Sequence, residues 1–154
     1  DTTAKANDSL LSVPTSSVFS QIENYTLQQN VVSYCFHSVE GYSKIGSYTG
    51  NGATSGTAGT YVHLGFRPSF VMLKSTGSGS WWILDSTRDP FNEALRALQA
   101  NEPAVETGYS GNFLDFYSNG FAPRTSGTQV NGSGTKYIYM AFADGQPFKY
   151  ANAR

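Results

Sequence analysis

The chain has 154 residues, enough for one domain with a sizeable core. Charged residues make up only 14% and aromatics another 14%, led by ten Tyr and ten Phe; this is the profile of a turn-rich sheet protein rather than a disordered one. Ten Lys and Arg balance eleven Asp and Glu with no basic run, which argues against a nucleic-acid-binding face, and no stretch approaches the roughly 20 apolar residues of a membrane span.

Residues 1–30 are rich in Ser, Thr, Gln and Asn, with Leu10, Leu11, Val13, Val18, Phe19 and Ile22 scattered among them. They read as an arm or linker that either crosses to a neighbouring subunit or folds onto its own domain. The opening Asp1-Thr2-Thr3-Ala4-Lys5 has no Met and no signal-peptide core, so a fragment or processed product is expected.

From residue 31 the pattern is short strands between turn signals. Val31–Ser38 is the first, and its apolar run suggests that Cys35, the only cysteine, is a buried free thiol. Pairing of Cys35 with His37 as a nucleophile is the weaker reading, because no third group orients them. Tyr42–Tyr48 follows. The polar loop 49–59, with Asn51-Gly52 and four glycines, reads as an exposed turn or flexible tip. Strands are expected at Thr60–Leu64, Ser69–Lys74 and Trp81–Asp85.

A helix is predicted after Asp89-Pro90. Asp89 would cap it, Pro90 would take the first helical position, and Phe91, Ala94, Leu95 and Leu98 would form one apolar stripe. Asn101 and Pro103 would end it. Asn112–Ser118 and Phe121–Thr125 read as a hairpin turning at Asn119-Gly120. In the last strand, Thr135–Ala143, Ile138, Met140 and Phe142 share one face, while Tyr137, Tyr139, Ala141 and Ala143 share the other. Such a strand is central and covered on both sides, or one face meets a partner. The expected fold is therefore an all-β antiparallel sandwich of jelly-roll or concanavalin-like type, with one short helix. Residues 1–30 form the arm and 31–154 the sandwich.

Catalytic and metal motifs are missing: there is no His-x-Glu, Cys-x-x-Cys or His-Glu-x-x-His spacing, and Gly77-Ser78-Gly79-Ser80 leads into a strand rather than the helix of a nucleophile elbow. Asp85, Asp89 and Glu93 are the one carboxylate cluster. Capping and pairing with Arg88 explain them best, with calcium or acid–base work on a glycan as alternatives. Trp81-Trp82 places one indole in the core and turns the other outward. Trp81, Trp82, Tyr61 and His63 read as core or interface residues, with glycan contact as the alternative. Asn7, Asn24 and Asn131 head Asn-x-Ser/Thr triplets, which matter only in a eukaryotic secretory pathway. No cofactor is expected.

Four separated blocks carry a resemblance. They are Val32 through Gly52, Gly65-Phe66-Arg67-Pro68-Ser69-Phe70-Val71-Met72-Leu73-Lys74, Asp115-Phe116-Tyr117-Ser118-Asn119-Gly120-Phe121, and Tyr137 through Ala143 with Pro147 through Arg154. In this order they resemble the C-terminal domain of a family of tailed-phage virion proteins, many from marine and environmental sequence, usually labelled tail-fibre or structural proteins. Those chains often carry lectin-like sandwich domains upstream. The resemblance covers about residues 31–154 and implies a loop, not a helix, over 90–100. It brings no catalytic residues. It implies a non-enzymatic protein of the virion surface, a tail fibre, head fibre or decoration component. Its partners would be copies of itself, other virion proteins and a host-surface glycan, with no nucleic acid and no membrane insertion. A lectin-like carbohydrate-binding module and a glycan depolymerase are the rival readings.

Overall fold

The computed structural model describes residues 34–53, 59–108 and 113–144. Two compact units divide the chain, Asp1–Cys35 and Phe36–Arg154. The arm of residues 1–30, the tip at 54–58 and the tail from Gln146 onward lie outside the described residues, as do Asn7 and Asn24.

The described residues of the second unit form nine strands: β1 (Ser43–Thr49), β2 (Val62–His63), β3 (Pro68–Ser75), β4 (Trp82–Asp85), β5 (Arg96–Gln99), β6 (Thr107–Gly108), β7 (Leu114–Tyr117), β8 (Gly120–Pro123) and β9 (Lys136–Ala143). They form an all-β, antiparallel, sandwich-like pair of sheets. The larger has the order β1-β9-β3-β4-β5-β6, and the smaller β2-β8-β7. Among the described residues there is no helix, and hence none long and apolar enough to cross a membrane.

Alternation along each strand sends one face into a shared core. From the larger sheet come Tyr48, Val71, Leu73, Trp82, Leu84, Ala97, Tyr137, Tyr139 and Ala141; from the smaller come Val62, Leu114, Phe116 and Phe121. The Phe121 ring sits edge-on to Tyr48 at 5.9 Å and to Tyr139 at 5.5 Å, joining the sheets at their centre. Trp82 meets Phe113 at 5.5 Å. Two buried tyrosine hydroxyls are engaged at one end of the core. The Tyr48 hydroxyl donates to the Val130 carbonyl (2.7 Å), and Tyr137 donates to the Thr128 carbonyl (2.7 Å) while accepting from the Gly132 N–H. Asn131 is fully buried and bonded to Asn51 through both its amide atoms, so it is no glycan acceptor.

The helix expected after Asp89 does not form. Phe91, at the head of the supposed stripe, is 82% exposed, whereas Ala97, off the stripe, is fully buried. The segment instead serves both sheets. The Asn92 side chain acts as a short strand against the free edge of β7, accepting from the Phe116 N–H (2.9 Å) and donating to its carbonyl (3.0 Å). Ala94 bridges to Leu114, and then β5 joins β4 through Trp82–Gln99 and Ile83–Leu98. Two unpaired edges thus outbid a helical turn whose local preference is small. Asp89 caps the bend rather than a helix, accepting from the N–H groups of Leu95 and Arg96.

The expected strand at Val31–Ser38 is also corrected. Residues 34–38 form no strand, and Tyr34 (81%) and Phe36 (55%) are exposed. Cys35 is exposed rather than buried. An apolar run of this length specifies a strand only when a neighbouring edge is open to it. At β1 residues 37–39 supply only isolated contacts: Val39 bridges to Ser43, and the Ser38 hydroxyl accepts from the Ile45 N–H.

Burial, with Tyr137 beside it, pushes the Tyr48 hydroxyl well above the ordinary phenol range. Its neutral form is the folded one, so the stability it supplies is complete below about pH 10 and is lost as pH rises beyond that. Tyr48→Phe should cost about 1–2 kcal/mol at neutral pH through the orphaned Val130 carbonyl. Its stability should then fall less steeply than that of the parent above about pH 10. Urea unfolding at stepped pH measures both.

Candidate functional site

Each sheet keeps one face for the core and turns the other outward. On the smaller sheet, His63, Gly120 and Tyr117 lie side by side across β2, β8 and β7. The central position has no side chain, and Tyr61 fills the gap. A Cβ at residue 120 would lie 2.9 Å from the Tyr61 hydroxyl oxygen and would collide with the Val62 carbonyl. Tyr61 stands 5.8 Å from Tyr117 at an interplanar angle of 69° and 6.5 Å from His63. It is 46% exposed and Tyr117 36%.

Both phenols are tethered by their hydroxyls. Tyr61 donates to the Asn119 side-chain carbonyl, and Tyr117 donates to Asp115 Oδ2 at 3.1 Å. Asp115 is itself 5% exposed and paired with Arg124 at 3.0 Å, and Arg124 lies 3.8 Å from Glu93. Burial, then the Asp115 charge, raises the Tyr117 hydroxyl above its usual range, so it stays a neutral donor. Asp115 Oδ1 is buried with no hydrogen-bond partner among the described residues.

On the larger sheet, one outward row runs across five strands. Ile45 pairs with Met140, Met140 with Met72, Met72 with Ile83, and Ile83 with Leu98. Phe70 and Phe142 lie beside it, their rings 6.0 Å apart, and Ile138 on its other side is 41% exposed. Trp81 belongs to this margin. It is half-buried, with the Lys74 ammonium 6.0 Å from its ring centre, and its backbone N–H donates to the Asn101 side-chain carbonyl at 2.7 Å. That ammonium has no carboxylate partner among the described residues; the carbonyls of Ser75, Gly77 and Gly79 receive it. Trp82, proposed beside Trp81 as a glycan contact, is 5% exposed and belongs to the core.

Asp85 and Asp89 are joined through ion pairs of Arg88 and Arg96 with Glu106. Asp85 pairs with Arg88 at 2.5 Å and accepts from the N–H groups of Thr87 and Arg88. Asp89 holds the bend before β5, and Glu93 faces Arg124. Among the described residues no group of three or more His, Cys, Asp or Glu side chains gathers as a metal site. A cleft of about 510 Å³ does open beside the β7–β8 turn, lined by Gly65, Arg67, Ser86, Ser118 and Asp144 among others. Neither Asp85 nor Asp89 lines it.

A family model described as "Domain of unknown function (DUF7483)" matches residues 1–147. The chain belongs to this family. No curated protein and no solved structure matches it. The DUF7483 match takes in the first 30 residues, which the resemblance to phage virion proteins leaves out.

Of the residues singled out in the sequence, the DUF7483 fold brings Tyr61 and His63 together and sends Trp81 to the opposite sheet. Tyr117, Asn119, Asp115 and Arg124 were not anticipated. The hairpin expected to turn at Asn119-Gly120 would pair Ser118 with Phe121 rather than Tyr117 with Gly120, and nothing local signals that β2 lies along β8.

Burial alone would raise the Asp85 carboxyl, yet the Arg88 and Thr87 donors outweigh it and hold it below the usual carboxylate range. Its contribution is complete above about pH 4 and lost as pH falls through the folded value. On acidification below about pH 4, the parent chain should lose stability more steeply than Asp85→Asn. Equal slopes in stepped-pH unfolding would remove the pairing as a source of stability.

Proposed function

We propose that this chain is a non-enzymatic structural domain of the tailed-phage virion surface, a fibre or decoration component that works by self-assembly. The finer fold in this reading is a jelly roll or concanavalin-like sandwich. The four sequence blocks supply the virion context. The observation that carries the assembly role is the apolar row Ile45–Met140–Met72–Ile83–Leu98 on the outward face of the larger sheet.

A sheet face built for water carries mainly polar side chains, the apolar ones of each strand having turned to the core. This face instead carries five apolar side chains in register over four strand spacings, about 19 Å. Contiguous apolar surface of this kind marks an interface. The edges are less suited to the task. β1 is partly met by residues 37–39, and β6 is two residues long. A second copy presenting the same row is the simplest occupant, since identical faces close a symmetric pair.

Sedimentation velocity across a micromolar dilution series should show reversible association of the parent chain. Ile138→Glu, at the exposed margin, should weaken it at least about tenfold through loss of apolar burial and an unpaired charge. A chain that stays monomeric at every concentration would refute the assembly role.

A further inference from the structure

A tyrosine at a protein surface ordinarily buries its ring and lets the hydroxyl reach water. Tyr61 and Tyr117 instead tie their hydroxyls to neighbouring side chains. The partners are Asn119 and the buried Asp115, while 46% and 36% of each residue stays exposed. The sheet makes room for this by placing Gly120 between them, where any side chain would displace Tyr61. A ring held at both its backbone and its hydroxyl loses little freedom when something stacks on it.

We propose that Tyr61, Tyr117 and His63 form a binding site for an uncharged hexopyranose chain of gluco or galacto configuration. The rings of Tyr61 and Tyr117, inclined at 69°, make a corner with one ring as floor and the other as wall. A pyranose lays the C–H-bearing face of its ring on such a floor and turns its hydroxyls outward. His63 and Tyr117 lie two strand spacings apart, about 10 Å, with Tyr61 between them, so the three rings together span the length of a disaccharide.

Exposed Ser118 and Asn119 stand at the rim to meet those hydroxyls, next to the cleft that shares Ser118. The described residues around the corner carry both signs, Asp115 and Glu93 against Arg124, with Lys44 bonded to the His63 carbonyl and Arg67 to the Phe116 carbonyl, so no anionic or cationic field dominates and a neutral sugar fits. The site does not rest on the assembly reading, because it occupies the other sheet.

Saturation-transfer NMR with the full chain tests it, using cello-, laminari-, chito- and galacto-oligosaccharides as probes. At least one gluco or galacto series should saturate, with ring-proton shifts confined to Tyr61, Tyr117 and His63. Tyr117→Ala should weaken that binding at least tenfold, while Tyr61→Phe, which keeps the ring and loses only the Asn119 bond, should weaken it severalfold at most. Circular dichroism confirms that each variant folds; if Tyr117→Ala does not, His63→Ala replaces it, with at least a threefold loss expected. No saturable binding of any series, or binding indifferent to these substitutions in folded protein, overturns the proposal.

Discussion

The contact of Phe121 with Tyr48 and Tyr139 sets the geometry on which the remaining surfaces depend. It brings a three-stranded sheet against a six-stranded one, and the smaller sheet has few side chains with which to fill the gap. Aromatic rings answer that shortage, because each removes a large apolar area from water per residue ordered. Tyr48 and Tyr137 carry hydroxyls into the core, and the turns around Thr128, Val130 and Gly132 satisfy them. The loop at 127–135 is thus as much a part of the core as the strands.

Once the inner faces are committed, the outer faces are determined by alternation alone, and they differ in character. The larger sheet shows water an aliphatic and thioether row flanked by rings. The smaller shows two hydroxyl-tethered phenols and an imidazole around a glycine. Extended apolar contact suits the first, and recognition of a small polar-edged ligand suits the second. A protein that both assembles and attaches needs two such faces pointing apart, and a two-sheet sandwich provides them without any moving part.

Much of this was legible from local pattern. In β9 the split between Tyr137, Tyr139, Ala141 and Ala143 and Ile138, Met140 and Phe142 follows directly from a period of two, and the core took the first set. The opposed indoles of Trp81 and Trp82 follow from the same rule. The hairpin turn came out one residue earlier than its Asn119-Gly120 signal, at Ser118 and Asn119, because Gly120 is needed for its missing Cβ rather than for a positive φ. Long-range pairing defeated the rest. Asn92 to Gln99 has a helical stripe, but it spans two open sheet edges whose position no local signal reveals. Tyr61 and Tyr117 meet only because β2 and β7 flank β8, an arrangement that joins residues 56 positions apart.

The chain's only two methionines, Met72 and Met140, are neighbours in the outward row of the larger sheet, so their thioethers report directly on whether that face is covered. The decisive measurement is the rate of sulfoxide formation at each by dilute peroxide, followed by mass spectrometry over a range of protein concentrations. If a second copy covers the row, both rates fall together as concentration rises into the associating range. Rates that stay constant from dilute to concentrated protein would contradict the account.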